Sequence, residues 1–309
     1  MLSRVAQRTY WLARYLERAE DTSRLLLVRH QSILDLPRSV QPGWELLLDV
    51  LGAREDFNAK PGGPTEKNII DYVFSDRSNY SSIISTLANA RENMRTSREV
   101  LPSETWERVN SLYLSVARRS NKGLPRASRH QALNGVIQSC QQISGMLAGT
   151  MNQDAAYQFM RLGRNLERAD MSTRIIDAGA ADLTSAGEDA IPYQNVMWIS
   201  VLQSLSAYQM YRLSVGANVN PAEVRHFLLR SFDFPRAFGH CLKELENSME
   251  ILPGSVKPLE CVHALQRKLK RTNCRELEGD SLHDFLDLMQ LQLQGIDQAI
   301  AAAWFTPEQ

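Results

Sequence analysis

Residues 10–28 read YWLARYLERAEDTSRLLLV, and residues 164–174 read RNLERADMSTR. In the first stretch Leu12, Leu16, Ala19, Ser23 and Leu26 recur every three or four positions, so they share one face of an α-helix. Phe159, Leu162, Leu166, Ala169, Thr173 and Ile176 make the same stripe around the second stretch. Leu282, Phe285, Met289, Leu293 and Ile296 make a third near the end. No segment alternates in the strand pattern, and Leu, Ala, Arg, Glu and Gln are abundant, which favours helix. The expected fold is an all-α, multi-helix bundle.

Helices are expected over 3–35, 43–52, 65–75, 79–100, 103–121, 127–149, 153–182, 191–216, 221–231, 234–251, 256–272 and 281–304. Ser3 and Asn152 stand where N-caps belong. Asn220-Pro221-Ala222-Glu223 reads as a cap, an N1 proline and a capping-box glutamate, and Ser281–Asp284 as a second box. Gly62-Gly63-Pro64, Pro125, Gly187 and Pro253-Gly254 are breakers. Gly52–Thr65 is expected to be a mobile loop or lid.

Aligning 14–24 with 164–174 gives six identical positions of eleven, at an offset of 150. Glu20/Asp170, Thr22/Ser172 and Ser23/Thr173 are conservative. Trp44/Trp198, Leu48/Leu202, Leu51/Leu205, Leu87/Leu242 and Met94/Met249 continue the match at a nearly constant offset of 154 or 155. The chain therefore reads as two related helical halves, 1–149 and 150–309, produced by internal duplication. They are expected to pack about a pseudo-twofold axis into one compact body. A solenoid would repeat at a much shorter period.

The 309 residues carry 35 Lys+Arg and 35 Asp+Glu, so the net charge is zero. That argues against a dedicated nucleic-acid binder. The hydrophobic fraction of 43% with 23% charged residues is globular rather than disordered. Four cysteines, none in a C-x-x-C pair, suggest a reduced protein. Apolar runs are too short to span a bilayer, and the opening residues lack the apolar core of a secretory signal. Glu17, Glu20 and Asp21 speak against a transit peptide, so the expected compartment is the cytoplasm, with no membrane association.

A helical projection places Ala13, Glu17, Glu20 and Arg24 on one flank of the apolar stripe, with Arg14 and Asp21 nearly opposite it and Arg18 beside Trp11. The second copy puts Gly163, Glu167, Asp170 and Arg174 on the equivalent flank. Small residues at 13 and 163 would admit another helix or a ligand. The candidate binding residues are Arg14, Glu17, Arg18, Glu20, Arg24, Arg164, Glu167, Arg168, Asp170 and Arg174. Arg24 and Arg174 are suited to a bidentate grip on a carboxylate or phosphate. The competing reading is that all of these form structural ion pairs.

Other chemistries find less support. Carboxylate-bundle metal proteins use glutamates with paired Glu-x-x-His motifs. Glu17-x-x-Glu20, Glu167-x-x-Asp170, Glu223-x-x-His226 and Asp280-x-x-His283 resemble that set only in part, so no metal is expected. No Gly-x-Ser-x-Gly turn, Walker loop or dinucleotide fingerprint occurs, so neither a catalytic residue nor a cofactor is assigned. Cys140, Cys241 and Cys261 read as packing residues. Trp11, Trp44, Trp106 and Trp198 read as interhelix packing, and Trp304 as an exposed partner contact. Arg118-Arg119 and the run 267–271 read as solvated basic faces, with docking to an acidic partner as the alternative.

The segment Tyr10–Glu20, with Asp76-Arg77-Ser78-Asn79 and Leu166–Asp170, resembles the bacterial alpha-E family, helical proteins of unknown function named for a recurring Glu-Arg motif. The resemblance covers the whole chain. Where the family commonly has glycine before the first arginine, this chain has Ala13, while the second copy keeps Gly163. The resemblance implies company: an ATP-grasp-type ligase, adjacent or fused, and a transglutaminase-like peptidase. The implied role is that of a helical partner, or a subunit binding a peptide or acyl intermediate, in amide-bond synthesis or modification, without catalysis in isolation. The alternatives are a cofactor-independent transferase or hydrolase using Glu17 and Glu167, and a metal-dependent carboxylate-bundle enzyme.

Overall fold

The computed structural model describes residues 3–37, 43–185 and 192–306. Among the described residues there are fourteen α-helices and no strand. The chain divides into two compact units, Met1–Arg29 with Gly43–Arg164, and His30–Pro42 with Asn165–Gln309. The second division falls inside a long helix, after Arg164, and not at the loop near 149. Gly187 lies outside the described residues.

The first unit holds most of α1 (Ser3–Asp35), then α2 (Leu46–Val50), α3 (Arg54–Asn58), α4 (Glu66–Phe74), α5 (Ile83–Arg95), α6 (Ser103–Ser120) and α7 (Arg126–Thr150). It ends with the first part of α8 (Ala155–Ser185). Here α5 packs on α6, and α6 on α7. The second unit holds the rest of α8, then α9 (Gln194–Ser204), α10 (Tyr208–Ser214), α11 (Pro221–Arg230), α12 (Phe238–Ile251), α13 (Val256–Arg271) and α14 (Gly279–Ile300). In it α12 packs on α13, and α13 on α14. A π-helical turn, Ala301–Phe305, follows α14.

Local chemistry explains where the helices start and break. The helix expected over 79–100 begins at Ile83, because the Ser82 hydroxyl accepts from the Ser85 amide and caps it. That expected over 43–52 is the shorter α2, which stops ahead of Gly52, whose φ of 61° is left-handed, and α3 follows beyond the expected range. That over 191–216 becomes α9 and α10, parted at Ser206, with φ 54°. The backbone bonds around the two breaks correspond. Ala53 N donates to Leu48 O (2.8 Å) and Phe57 N to Ala53 O (3.0 Å). Ala207 N donates to Leu202 O (2.7 Å) and Tyr211 N to Ala207 O (2.8 Å).

Several cap assignments are corrected. The carboxylate of Asp154, not Asn152, accepts the Ala156 and Tyr157 amides that open α8. Glu278 caps α14, with Ser281 as the reciprocal N3 residue, so Ser281 is not itself the cap. Asn220 does cap α11, but the Glu223 carboxylate turns to Arg275 (2.7 Å) and does not close a box. The segment expected as a mobile loop contains α3 and is pinned by Lys60, which bonds Asp76 and Ser78.

The tryptophans are covered by arginine as well as by apolar side chains. Arg98 lies 4.0 Å from the Trp106 ring, Arg14 4.7 Å from Trp11, Arg129 5.6 Å from Trp44 and Arg225 5.8 Å from Trp198. Such stacking satisfies the cation while the ring stays shielded. Trp304 is half-buried, and its indole N–H donates to Pro253 O (2.7 Å), so it is not an exposed contact.

Candidate functional site

The Glu-Arg segment lies inside the first unit. An amphipathic surface helix would bury one stripe, but α1 is buried nearly all round. Leu12, Leu16, Ala19 and Leu26 are enclosed, and so are Arg14, Glu17, Glu20 and Asp21. The projection placed Arg14 and Asp21 away from the apolar stripe. Both are nonetheless buried, because neighbouring helices cover that side too. Arg14 is held between the Trp11 and Tyr10 rings, with its guanidinium 3.5 Å from the Tyr10 hydroxyl. Arg18 and Arg24 are half-buried.

Glu20 and Arg24, placed on one flank by the projection, form an i,i+4 ion pair. Arg24 donates twice to one oxygen of Glu20, from Nε at 3.1 Å and Nη2 at 2.7 Å. In the second unit Arg174 Nε donates to Asp170 at 2.9 Å. On a surface such pairs contribute only ~0.3–0.5 kcal/mol. The Glu20 side chain is 4% exposed, so this pair is screened far less than a surface pair. Glu167 is fully buried, and Arg168 reaches Pro235 O at 3.4 Å. Ser172 donates to Arg236 O (2.9 Å), fixing α8 to the segment before α12.

Gly163 is where the two long helices meet within the first unit. A Cβ built there would stand 2.1 Å from Tyr10 O and 3.0 Å from Tyr10 C. The glycine therefore serves helix–helix contact and not a ligand. Ala13 lines a small cleft with Glu17, Tyr157, Met160, Arg161 and Arg164. The structure thus brings Glu17 and Arg164 to one place, while Glu167, Arg168, Asp170 and Arg174 belong to the second unit. The cleft holds about 20 Å³, room for roughly one water. No peptide or acyl chain enters such a space without helix movement.

Cys140 on α7 faces the same acids. Burial first, and then Glu20, Glu17 and Asp21, push its thiol well above the usual range. It stays protonated and is no nucleophile at neutral pH.

Sequence reasoning missed one cluster. In the second unit His283 Nδ1 lies 2.9 Å from Asp177, and His283 Nε2 lies 3.9 Å from Asp287. Among the described residues these three are the group with metal-ligand geometry. The legible half was the i,i+4 pair His283/Asp287. Asp177 comes from α8, far away in sequence. Asp177 holds His283 above its ordinary value, while burial keeps Asp177 itself raised. His283 is thus bonded to Asp177, with Asp287 farther off at 3.9 Å. The remaining partial motif disperses, with Glu223 bound to Arg275.

A family model described as a predicted alpha-helical domain with a conserved ER motif matches residues 1–305. The chain belongs to the Alpha-E family. Two uncharacterized proteins, from Mycobacterium bovis and Mycobacterium tuberculosis, are each 24% identical to this Alpha-E chain over 305 residues. Each alignment covers 89% of this chain and 33% of the relative, so the chain spans about a third of the length of the curated relatives it matches. No solved structure matches it. Among the described residues no helix is long and apolar enough to cross a membrane.

Proposed function

We infer that this Alpha-E chain is a binding partner without catalysis of its own, serving an ATP-grasp-type ligase in peptide amide-bond synthesis or modification in the bacterial cytoplasm. It would hold the ligase or a peptide or acyl intermediate, and a transglutaminase-like peptidase would act in the same system. The observation that carries the reading is the closed Glu-Arg cluster. The signature glutamates are folded into the interior, Glu17 beside a first-unit cleft no larger than a water and Glu167 within the second unit. Residues placed so set helix positions, and substrate contacts fall elsewhere on the surface. The relatives support it, because they carry the matching segment within chains about three times as long.

The same reading takes the two halves as products of duplication. It is supported by the matched breaks at Gly52 and Ser206 and by their corresponding backbone bonds. The test is reconstitution: the purified ligase is assayed for amide formation with and without this chain. Activity that depends on the chain is expected. Equal activity in its absence, with no association between the two, overturns the reading.

A further inference from the structure

An unassigned feature of the second unit is an open groove of about 650 Å³ between α12 and α13. That volume lies within the ~300–1,000 Å³ typical of ligand sites. The groove is apolar within and basic at the edge. Leu242 and Leu269 are buried beneath it, and Phe232, 51% exposed, stands at one end. Lys243, Arg267 and Lys270 line it and are all exposed.

The groove carries more cations than its own carboxylate pairs. Its one carboxylate is already engaged, since Glu246 accepts from Gln266 (2.9 Å) and meets His263 Nε2 (2.8 Å). Arg230 is engaged too, donating to Leu269 O (2.8 Å) and Lys270 O (3.1 Å) at the end of α13. Among the described residues Lys243, Arg267 and Lys270 make no ion pair, whereas Arg24, Arg54, Arg126, Arg129, Arg225 and Arg275 all do. Three exposed cations outside any salt bridge, Lys243 with Glu246 nearby, around an apolar trough are complementary to carboxylates spaced along an apolar chain.

We propose that the α12/α13 groove binds an acidic peptide segment of a partner protein, with its carboxylates on Lys243, Arg267 and Lys270 and its apolar side chains over Leu242, Leu269 and Phe232. A nucleic acid fits less well. Phe232 and His263 are the rings lining the groove, His263 is tied to Glu246, and single strands bind on rows of stacking rings. The proposal goes beyond the ligase reading and does not depend on it.

The test is fluorescence anisotropy on the full chain, with a fluorescein-labelled short peptide in which glutamate and aspartate alternate with leucine and phenylalanine. Saturable binding that weakens with added salt is expected. The Lys243→Glu/Arg267→Glu/Lys270→Glu variant should lose about tenfold or more in affinity, because each site now repels a carboxylate. All three side chains are exposed, so its melting temperature should match the parent's. Arg118→Glu/Arg119→Glu, at the other basic patch, should leave binding unchanged. Absence of saturable binding, equal losses in the two variants, or equally tight binding of a single-stranded RNA at this groove would each overturn the proposal. No ligase is present, so failure here leaves the ligase association standing, and the reverse holds.

Discussion

Gly163→Ala should destabilise the first unit, although alanine is the better helix former. In an open helix the exchange gains about 1 kcal/mol from propensity and reduced unfolded-state entropy. At Gly163 the new methyl would stand 2.1 Å from Tyr10 O, with Tyr10 C and Cα close behind. These are backbone atoms of α1, so no rotamer relieves the contact, and the helices must part by about 1 Å. Overpacking of this kind costs ~1–3 kcal/mol, and a backbone-on-backbone clash belongs at the upper end. After the propensity gain, a net loss of about 2 kcal/mol remains. At roughly 2–4 °C per kcal/mol for a body of this size, Tm falls by about 4–8 °C. The assay is thermal unfolding followed by far-UV circular dichroism. Gly145→Ala on α7, where nothing lies within 4 Å of the new Cβ, is the control and should raise Tm slightly. A Gly163→Ala protein melting at or above the parent would refute the close crossing of α1 and α8.

Other consequences are equally direct. Ser206 holds a left-handed φ of 54° where the corresponding break carries Gly52. Ser206→Gly should therefore stabilise the protein by a few tenths to about 1 kcal/mol in denaturant unfolding, and a loss would contradict the assignment of strain there. Glu66 is held down from 4.5 to about 2, chiefly by Arg126 and then by Arg129. Because the folded value is the lower one, its contribution is full above pH 4.5 and disappears as pH falls toward 2. Glu66→Gln should flatten the loss of stability across that window, and an unchanged slope would show that the pair is fully screened by solvent. Of the four thiols, Cys140, Cys241 and Cys274 are buried and Cys261 is half-buried. A disulfide reagent should thus modify Cys261 quickly in the native protein and the others only on unfolding, and rapid labelling of Cys140 would contradict its burial.

Much of the fold was legible because helix periodicity is a local signal. The bounds of α1 were read to the residue, and the strongest stripes marked buried faces. What failed was chemistry with two solutions. Asn152 and Asp154 are both good caps, and the choice between them depends on where α8 packs. The break at Ser206 carries no glycine, so its left-handed turn left no mark in the sequence. The Glu-Arg segment showed the i,i+4 pair, because that spacing lies within one helix. It did not show that the opposite face, with Arg14 and Asp21, is buried too. Enclosure by other helices is a tertiary fact, and a polar surface on a helix normally signals solvent. The α12/α13 groove was visible only as the basic run 267–271. Lys243 and Phe232 join that run through packing.

The central claim is that a closed, non-catalytic helical protein works by holding a partner. Its most direct test is affinity purification of the chain from its native host, with mass spectrometry of what accompanies it. The account predicts an ATP-grasp-type ligase in stoichiometric amount, retained by Glu17→Gln provided that variant is still folded. A chain that returns alone from cells expressing the ligase would contradict it.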